Sequence, residues 1–208
     1  MSMDRRRFLN GTRSLGLAAV VLPPLAKGQA NSIDEGSSMD NPFDEVSGFE
    51  QPRLEFVFEV DLDFTRVHNI NNMPSGAGRG AVYVDSGSFS GPRLNGTVIP
   101  NSGGDYALFR PDGVLSFDAR YMLQENDGTL ILLHNKGFLW GRSPDTMDRI
   151  RAWIFDDGPV VPESDYYLRA NPTFEVETGK HDWLMRHVIV GVGRRKEQGN
   201  TLRYYALL

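Results

Sequence analysis

The sequence predicts an all-β domain, an antiparallel barrel or sandwich interrupted by one short α-helix. Three observations carry that expectation. From residue 53 onward apolar and polar residues alternate, as in Leu54, Phe56, Phe58, Val60 and Leu62 set between Arg53, Glu55, Glu59 and Asp61. Segments of this kind follow one another at short spacing, and turn chemistry separates them at Gly91-Pro92, Gly103-Gly104, Pro111-Asp112-Gly113, Asn126-Asp127-Gly128 and Gln198-Gly199-Asn200.

Taken in chain order, residues 1–30 come first and read as a twin-arginine signal peptide. Arg5-Arg6-Arg7 precedes Phe8-Leu9, an uncharged apolar stretch runs from Leu15 to Leu25, and Gly28-Gln29-Ala30 offers small residues for cleavage. The stretch is about half of the roughly 20 residues a membrane-spanning helix needs, and Pro23-Pro24 interrupts it. The expectation is export to the periplasm or beyond by the folded-protein route, with no stable membrane anchor. Removing five basic residues and one acidic residue makes the formal charge of −5 four units more negative, which disfavours nucleic acid or an anionic surface as a partner.

Residues 31–51 carry six carboxylates and no basic residue, and read as a flexible acidic leader. Residues 52–208 form the domain. With no cysteine in the chain, a disulfide framework is excluded and the core alone must stabilise the fold. Within it, strands are expected at Arg53–Leu62, Ala81–Val84, Thr97–Ile99, Asp105–Arg110, Val114–Gln124, Thr129–Asn135, Tyr166–Glu175, Trp183–Val192 and Thr201–Leu207. One helix is expected after Ser143 as cap and Pro144 at its first position, with Met147, Ile150, Trp153 and Ile154 as its apolar stripe.

Standard chemical motifs are missing. Ser75-Gly76-Ala77-Gly78-Arg79-Gly80 lacks the Lys-Ser/Thr of a phosphate loop and reads as a mobile loop beside a binding site. The four histidines lack helical metal spacing, and His181 and His187 on one strand would stand about 20 Å apart, so no metal and no other cofactor is expected. What stands out is polar residues inside apolar strands. Between Val114 and Leu123 the alternation puts Leu115, Phe117, Ala119, Tyr121 and Leu123 on one face and Ser116, Asp118 and Arg120 on the other. The second face is either solvent-exposed, with an ordinary surface pair, or the lining of a cavity in which a carboxylate serves as acid or base. The same choice holds for Asp105 and Arg110, for His134 and Asn135, and for Tyr167 and Arg169.

The segments Gly91-Pro92-Arg93-Leu94-Asn95-Gly96, Gly103-Gly104-Asp105-Tyr106, Arg110-Pro111-Asp112-Gly113, Asp118-Ala119-Arg120-Tyr121 and Tyr166-Tyr167-Leu168-Arg169 carry a resemblance. In this order they are similar to a bacterial and fungal family known as a domain of unknown function, over about residues 52–208. The resemblance implies a closed, lipocalin-like antiparallel barrel, often with a cavity at one open end. Because fungal relatives stand among enzymes of aromatic polyketide assembly, it also implies cofactor-free lyase, dehydratase or isomerase chemistry on small oxygenated rings. The catalytic candidates are then Asp105, Asp118, Arg110, Arg120, Tyr167 and Arg169, with His134, Asn135, Trp183 and Tyr121 as substrate contacts. A carboxylate would remove a proton, an arginine would stabilise the oxyanion, and Tyr167 or His134 would return the proton. Two other readings stand beside it, a binding protein for a small apolar ligand and a structural module; self-association is left open.

Overall fold

The computed structural model describes residues 50–208; the expected signal peptide and nearly all of the acidic leader lie outside them. The described chain runs β1 (Leu54–Ile70), β2 (Gly78–Ser90), β3 (Gly96–Val98), β4 (Gly104–Asp105), β5 (Leu108–Phe109), β6 (Leu115–Glu125), β7 (Leu130–Gly141), α1 (Thr146–Phe155), β8 (Tyr166–Val176), β9 (Ile189–Lys196) and β10 (Gly199–Leu207). Every pairing is antiparallel. The sheet follows the order β1-β10-β9-β8-β7-β6 and returns through β2 to β1. The three fragments β3, β4 and β5 share one place between β2 and β6, so the barrel has eight staves, one of them broken. The fold is all-β and closed, with a single α-helix among the described residues.

Alternation decides what fills the barrel. Cross-strand neighbours Tyr121, Leu133 and Phe174 lie side by side and buried, as do Leu123 and Ile131 one pleat along. Phe58 packs on the rings of Tyr204, Phe89 and Phe174, with centroids 4.9–6.1 Å apart. These residues, with Val57, Val60, Leu94 and Leu202, form the larger apolar cluster. A smaller one gathers Leu139, Leu168 and Tyr166 with Ile150 and Trp153 of α1, so the helix packs its apolar stripe on the inward faces of β7 and β8.

Several sequence expectations are corrected. The Asp105–Arg110 strand is two pieces, because Tyr106 N–H donates to Asp118 and the Ala107 carbonyl accepts from Gly80 between them. The strand expected from Trp183 begins only at Ile189. Asp182–Arg186 is a 3-10 turn closed by Leu184 N–H on the His181 carbonyl, so His181 and His187 do not share a strand. Residues 75–80 divide between a turn and a strand: Gly76, at φ +77°, makes the β1–β2 turn, and Gly78 already belongs to β2. The helix cap is Asp145, since the Ser143 hydroxyl is engaged by Asp145 Oδ1 and Thr146 Oγ1, both at 2.7 Å, and Pro144 precedes the helix.

The broken stave tolerates little bulk. A Cβ on Gly103, just before β4, would come 1.8 Å from the Arg120 carbonyl oxygen at the end of the β4–β6 ladder. Gly103→Ala is therefore expected to lower the unfolding free energy by about 2 kcal/mol or more, read as a lower urea midpoint at unchanged slope.

Candidate functional site

The staves turn a set of polar side chains toward the interior. Asp105 on β4 stands opposite Ala119 on β6, which stands opposite Asn135 on β7, so Asp105 and Asn135 share the inward face across three strands. Tyr121 lies two residues further along β6. From the other side of the barrel come Tyr204 of β10 and Arg195 of β9, the latter paired in register with Asn200. These residues mark the boundary between the two apolar clusters: Tyr121 and Tyr204 belong to the larger, Tyr166 to the smaller, and Asp105, Asn135 and Arg195 to neither. Room for the tyrosine ring comes from Gly191, where a Cβ would sit 2.9 Å from the Tyr204 ring.

The belt is short of partners. Asn135 Oδ1 and Arg195 Nε are buried without a hydrogen bond, and the Tyr121 and Tyr204 hydroxyls are close enough to act on one another but have no other partner among the described residues. Buried polar atoms are nearly always paired with protein, water or ligand, and an unpaired one costs about 1–3 kcal/mol. Some groups are held: Arg195 Nη1 donates to Asn200 Oδ1 at 2.8 Å, its backbone N–H donates to the Tyr166 hydroxyl at 2.9 Å, and Asp105 Oδ1 accepts from the Asp118 N–H at 2.8 Å. These groups, able between them to donate and to accept, share the inward face with one enclosed carboxylate, and Tyr121 and Arg195 lie near enough to feel its charge.

Electrostatics follow from enclosure. Burial pushes the Asp105 carboxyl up to about 6, against the backbone hydrogen bond at Asp118 and the positive charges of Arg195 and Arg79. Burial also raises the phenols of Tyr121 and Tyr204, which stay neutral donors, and brings the Arg195 guanidinium down to about 10, still cationic at neutral pH. Asp105 is largely enclosed yet not sealed from solvent. A carboxyl titrating near neutrality beside neutral donors and a fixed cation can take a proton from an acidic carbon or hydroxyl and return it.

The remaining sequence candidates face outward. Asp118 receives a hydrogen bond from His134 Nε2 at 2.6 Å and lies 3.9 Å from Lys136. Burial raises its carboxyl, but the His134 bond and the charges of His134, Lys136 and Arg120 together outweigh this and leave it below the ordinary range. Arg120, with Arg66, Tyr83, Asn101 and Gly104, lines an open groove of about 560 Å³ on the outer surface, across the backbone that carries Asp105. Arg110 pairs with Asp112 in the β5–β6 turn. Tyr167 stacks on Trp140 at 5.1 Å with Arg169 over its ring, again outside. Trp183 packs partly against the larger core cluster under Arg93. Of the ten residues singled out from sequence, the barrel thus gathers Asp105, Tyr121 and Asn135, and it adds Arg195 and Tyr204. The added pair was visible in principle: in Gly191-Val192-Gly193-Arg194-Arg195 the period of two puts two glycines and one arginine on the same inward face.

A family model described as "Protein of unknown function (DUF3237)" matches residues 52–207, three quarters of the chain. The chain belongs to the DUF3237 family. Among curated proteins it is 29% identical to a UPF0311 protein of Clostridium acetobutylicum over 163 residues, covering 78% of this chain and 99% of the relative. Among solved structures, a β-barrel-like protein from Acinetobacter baumannii shares 26% identity at a TM-score of 0.66, over 78% of this chain and 99% of that one. An enzyme from Penicillium herquei shares the fold, at 21% identity and a TM-score of 0.57, over 78% and 98%. The same barrel fold thus occurs in proteins from Acinetobacter baumannii and Penicillium herquei.

Asp105 should leave a signature on stability. Its carboxyl binds a proton more tightly folded, near 6, than unfolded, at 3.8, so the folded state holds the extra proton between those values and stability falls as pH rises through them. The drop is on the order of 3 kcal/mol and levels off above pH 6. Urea unfolding from pH 4 to 7 should show it, and Asp105→Asn should remove it and be the more stable protein at pH 7. A parent curve flat over that window, matched by the variant, would contradict the enclosed carboxyl.

Proposed function

We propose that this protein is an exported, cofactor-free acid–base enzyme, a lyase, dehydratase or isomerase acting inside the barrel on a small oxygenated aromatic or polyketide-like compound. The observation that carries the reading is that the enclosed Asp105 carboxyl shares the barrel's inward face with the sparsely partnered buried groups of Tyr121, Asn135, Arg195 and Tyr204. In this reading the Asp105 carboxylate takes the proton from a carbon next to a carbonyl. The Arg195 guanidinium meets the negative charge that moves onto the carbonyl oxygen, with the Tyr121 or Tyr204 hydroxyl as second donor. Asn135 Oδ1 accepts from a ring hydroxyl and fixes orientation, and protonated Asp105 returns the proton to another carbon or to a leaving hydroxyl. The apolar clusters on either side favour a ring over a sugar or an amino acid. That a barrel of this fold houses an enzyme in Penicillium herquei supports the class of function, not the reaction. Export rests on the Arg5-Arg6-Arg7-Phe8-Leu9 segment and the apolar stretch behind it.

The same sparsely partnered groups would equally anchor a ligand that is bound and not changed, and proton exchange separates the two readings. The purified protein is incubated in heavy water at pH 7 with a panel of phenolic ketones and hydroxylated lactones, and carbon-bound hydrogen exchange is followed by NMR. The enzyme reading expects exchange with at least one compound, rising with pH through about 6 as Asp105 ionises, and a loss of about 10²–10⁴-fold in Asp105→Asn with binding retained. Binding without exchange in the parent would leave a carrier of small ring compounds instead.

A further inference from the structure

We propose that Glu125, Asp127 and His181 form a binding site for a divalent cation of the zinc class, separate from the Asp105 belt. Glu125 ends β6, Asp127 lies in the turn to β7, and His181 stands in the connection from β8, immediately before the Asp182–Arg186 turn. One ligand atom from each lies within 4.8 Å of the others. Each carboxylate spends one oxygen on the turn: Glu125 Oε2 accepts from the Asp127 N–H at 2.7 Å, and Asp127 Oδ1 accepts from the Thr129 N–H at 3.0 Å. The oxygens Glu125 Oε1 and Asp127 Oδ2 are left facing the connection that carries His181.

The histidine makes this more than an acidic turn. His181 is 2% exposed, and neither ring nitrogen has a hydrogen bond. Its Nε2 points at Asp127 Oδ2 from 3.5 Å without hydrogen-bond geometry. A buried imidazole with both nitrogens idle is rare, and a cation is one of the partners that satisfies such a group. One imidazole and two carboxylates suit zinc or its neighbours, with bonds of about 2.0–2.2 Å; calcium prefers an all-oxygen shell. Drawing the three atoms to the edge of a tetrahedron, about 3.4 Å, asks most of exposed Asp127 in its turn, since Glu125 at the end of β6 and His181 are both buried.

Lys180 holds the place of the cation. Its ammonium lies 3.3 Å from Asp127 Oδ2 and 3.8 Å from Glu125 Oε1, on a side chain that is two-thirds exposed and free to swing away. The site stands six residues along β6 from Ala119, the neighbour of Asp105, or about 20 Å. Its effect is therefore structural: it ties the β6–β7 turn to the β8–β9 connection.

Zinc sulfate titrated calorimetrically into the full chain at pH 7 should show one saturable site and raise the melting temperature. Asp127→Asn should weaken binding at least tenfold, and Lys180→Met, which removes the competing ammonium, should tighten it. His134→Gln, altering a histidine on the outer wall, should leave it unchanged. Both informative positions are exposed, so folding survives where loss of buried His181 could prevent it. Absence of saturable binding, affinities unmoved by Asp127→Asn and Lys180→Met, or loss of binding in His134→Gln would each overturn the site.

Discussion

β1 is hydrogen-bonded along both of its edges, to β10 on one side and to β2 on the other, and this double pairing makes the sheet a barrel. Closure leaves no strand with a wholly free edge, although β8 and β9 pair at only two positions, and gives each strand an inside and an outside. It also limits the interior to what eight staves can enclose, so bulk on one strand demands a small residue on the next. Gly191 beside Tyr204, and Gly193, whose Cβ would lie 2.7 Å from Leu168, are local results of that limit. A polar side chain turned inward is largely withdrawn from solvent, and the properties of Asp105 and Arg195 follow from their position before any partner is considered.

The sequence showed the strands more readily than their faces. Alternation in β8 and along residues 118–125 of β6 is clean because one side is core and the other solvent. It broke down where the backbone bonds to itself, as at the His181–Leu184 turn, or where a stave is divided, as at Tyr106 and Ala107. Whether a polar face looks into a cavity or into water depends on the direction in which the sheet curls, and a pattern of period two is the same for both. Asp118 and Arg120 fell on the outer side for that reason, and Asp105, isolated after two glycines, fell on the inner one. Arg195 escaped notice because it is one of three consecutive basic residues, a run that reads as solvated surface until closure turns its middle member inward.

The two charged assemblies are solved differently by the fold. On the outside, Asp118, His134 and Lys136 satisfy one another across neighbouring strands, where water shares the charge and each contact contributes under about 1 kcal/mol. On the inside, Asp105 is held by a single backbone N–H, and its arginine acts through the field and not through a bidentate pair. An interior carboxylate left so lightly bound lowers the stability of the fold. That arrangement matches sites whose polar groups are completed by something that enters.

The pairing that closes the barrel joins Leu54 to Leu207, nearly opposite ends of the described chain. Contacts this far apart in sequence slow folding, because a long loop must be closed before the ladder forms. Until β10 has been synthesised and has docked, β1 and β9 each present an open, half-apolar edge to any other chain nearby. The last stave is therefore also a checkpoint: a chain truncated before it, or stalled in translation, would carry two adhesive edges, and aggregation of such fragments is the hazard that comes with a barrel completed by its final strand.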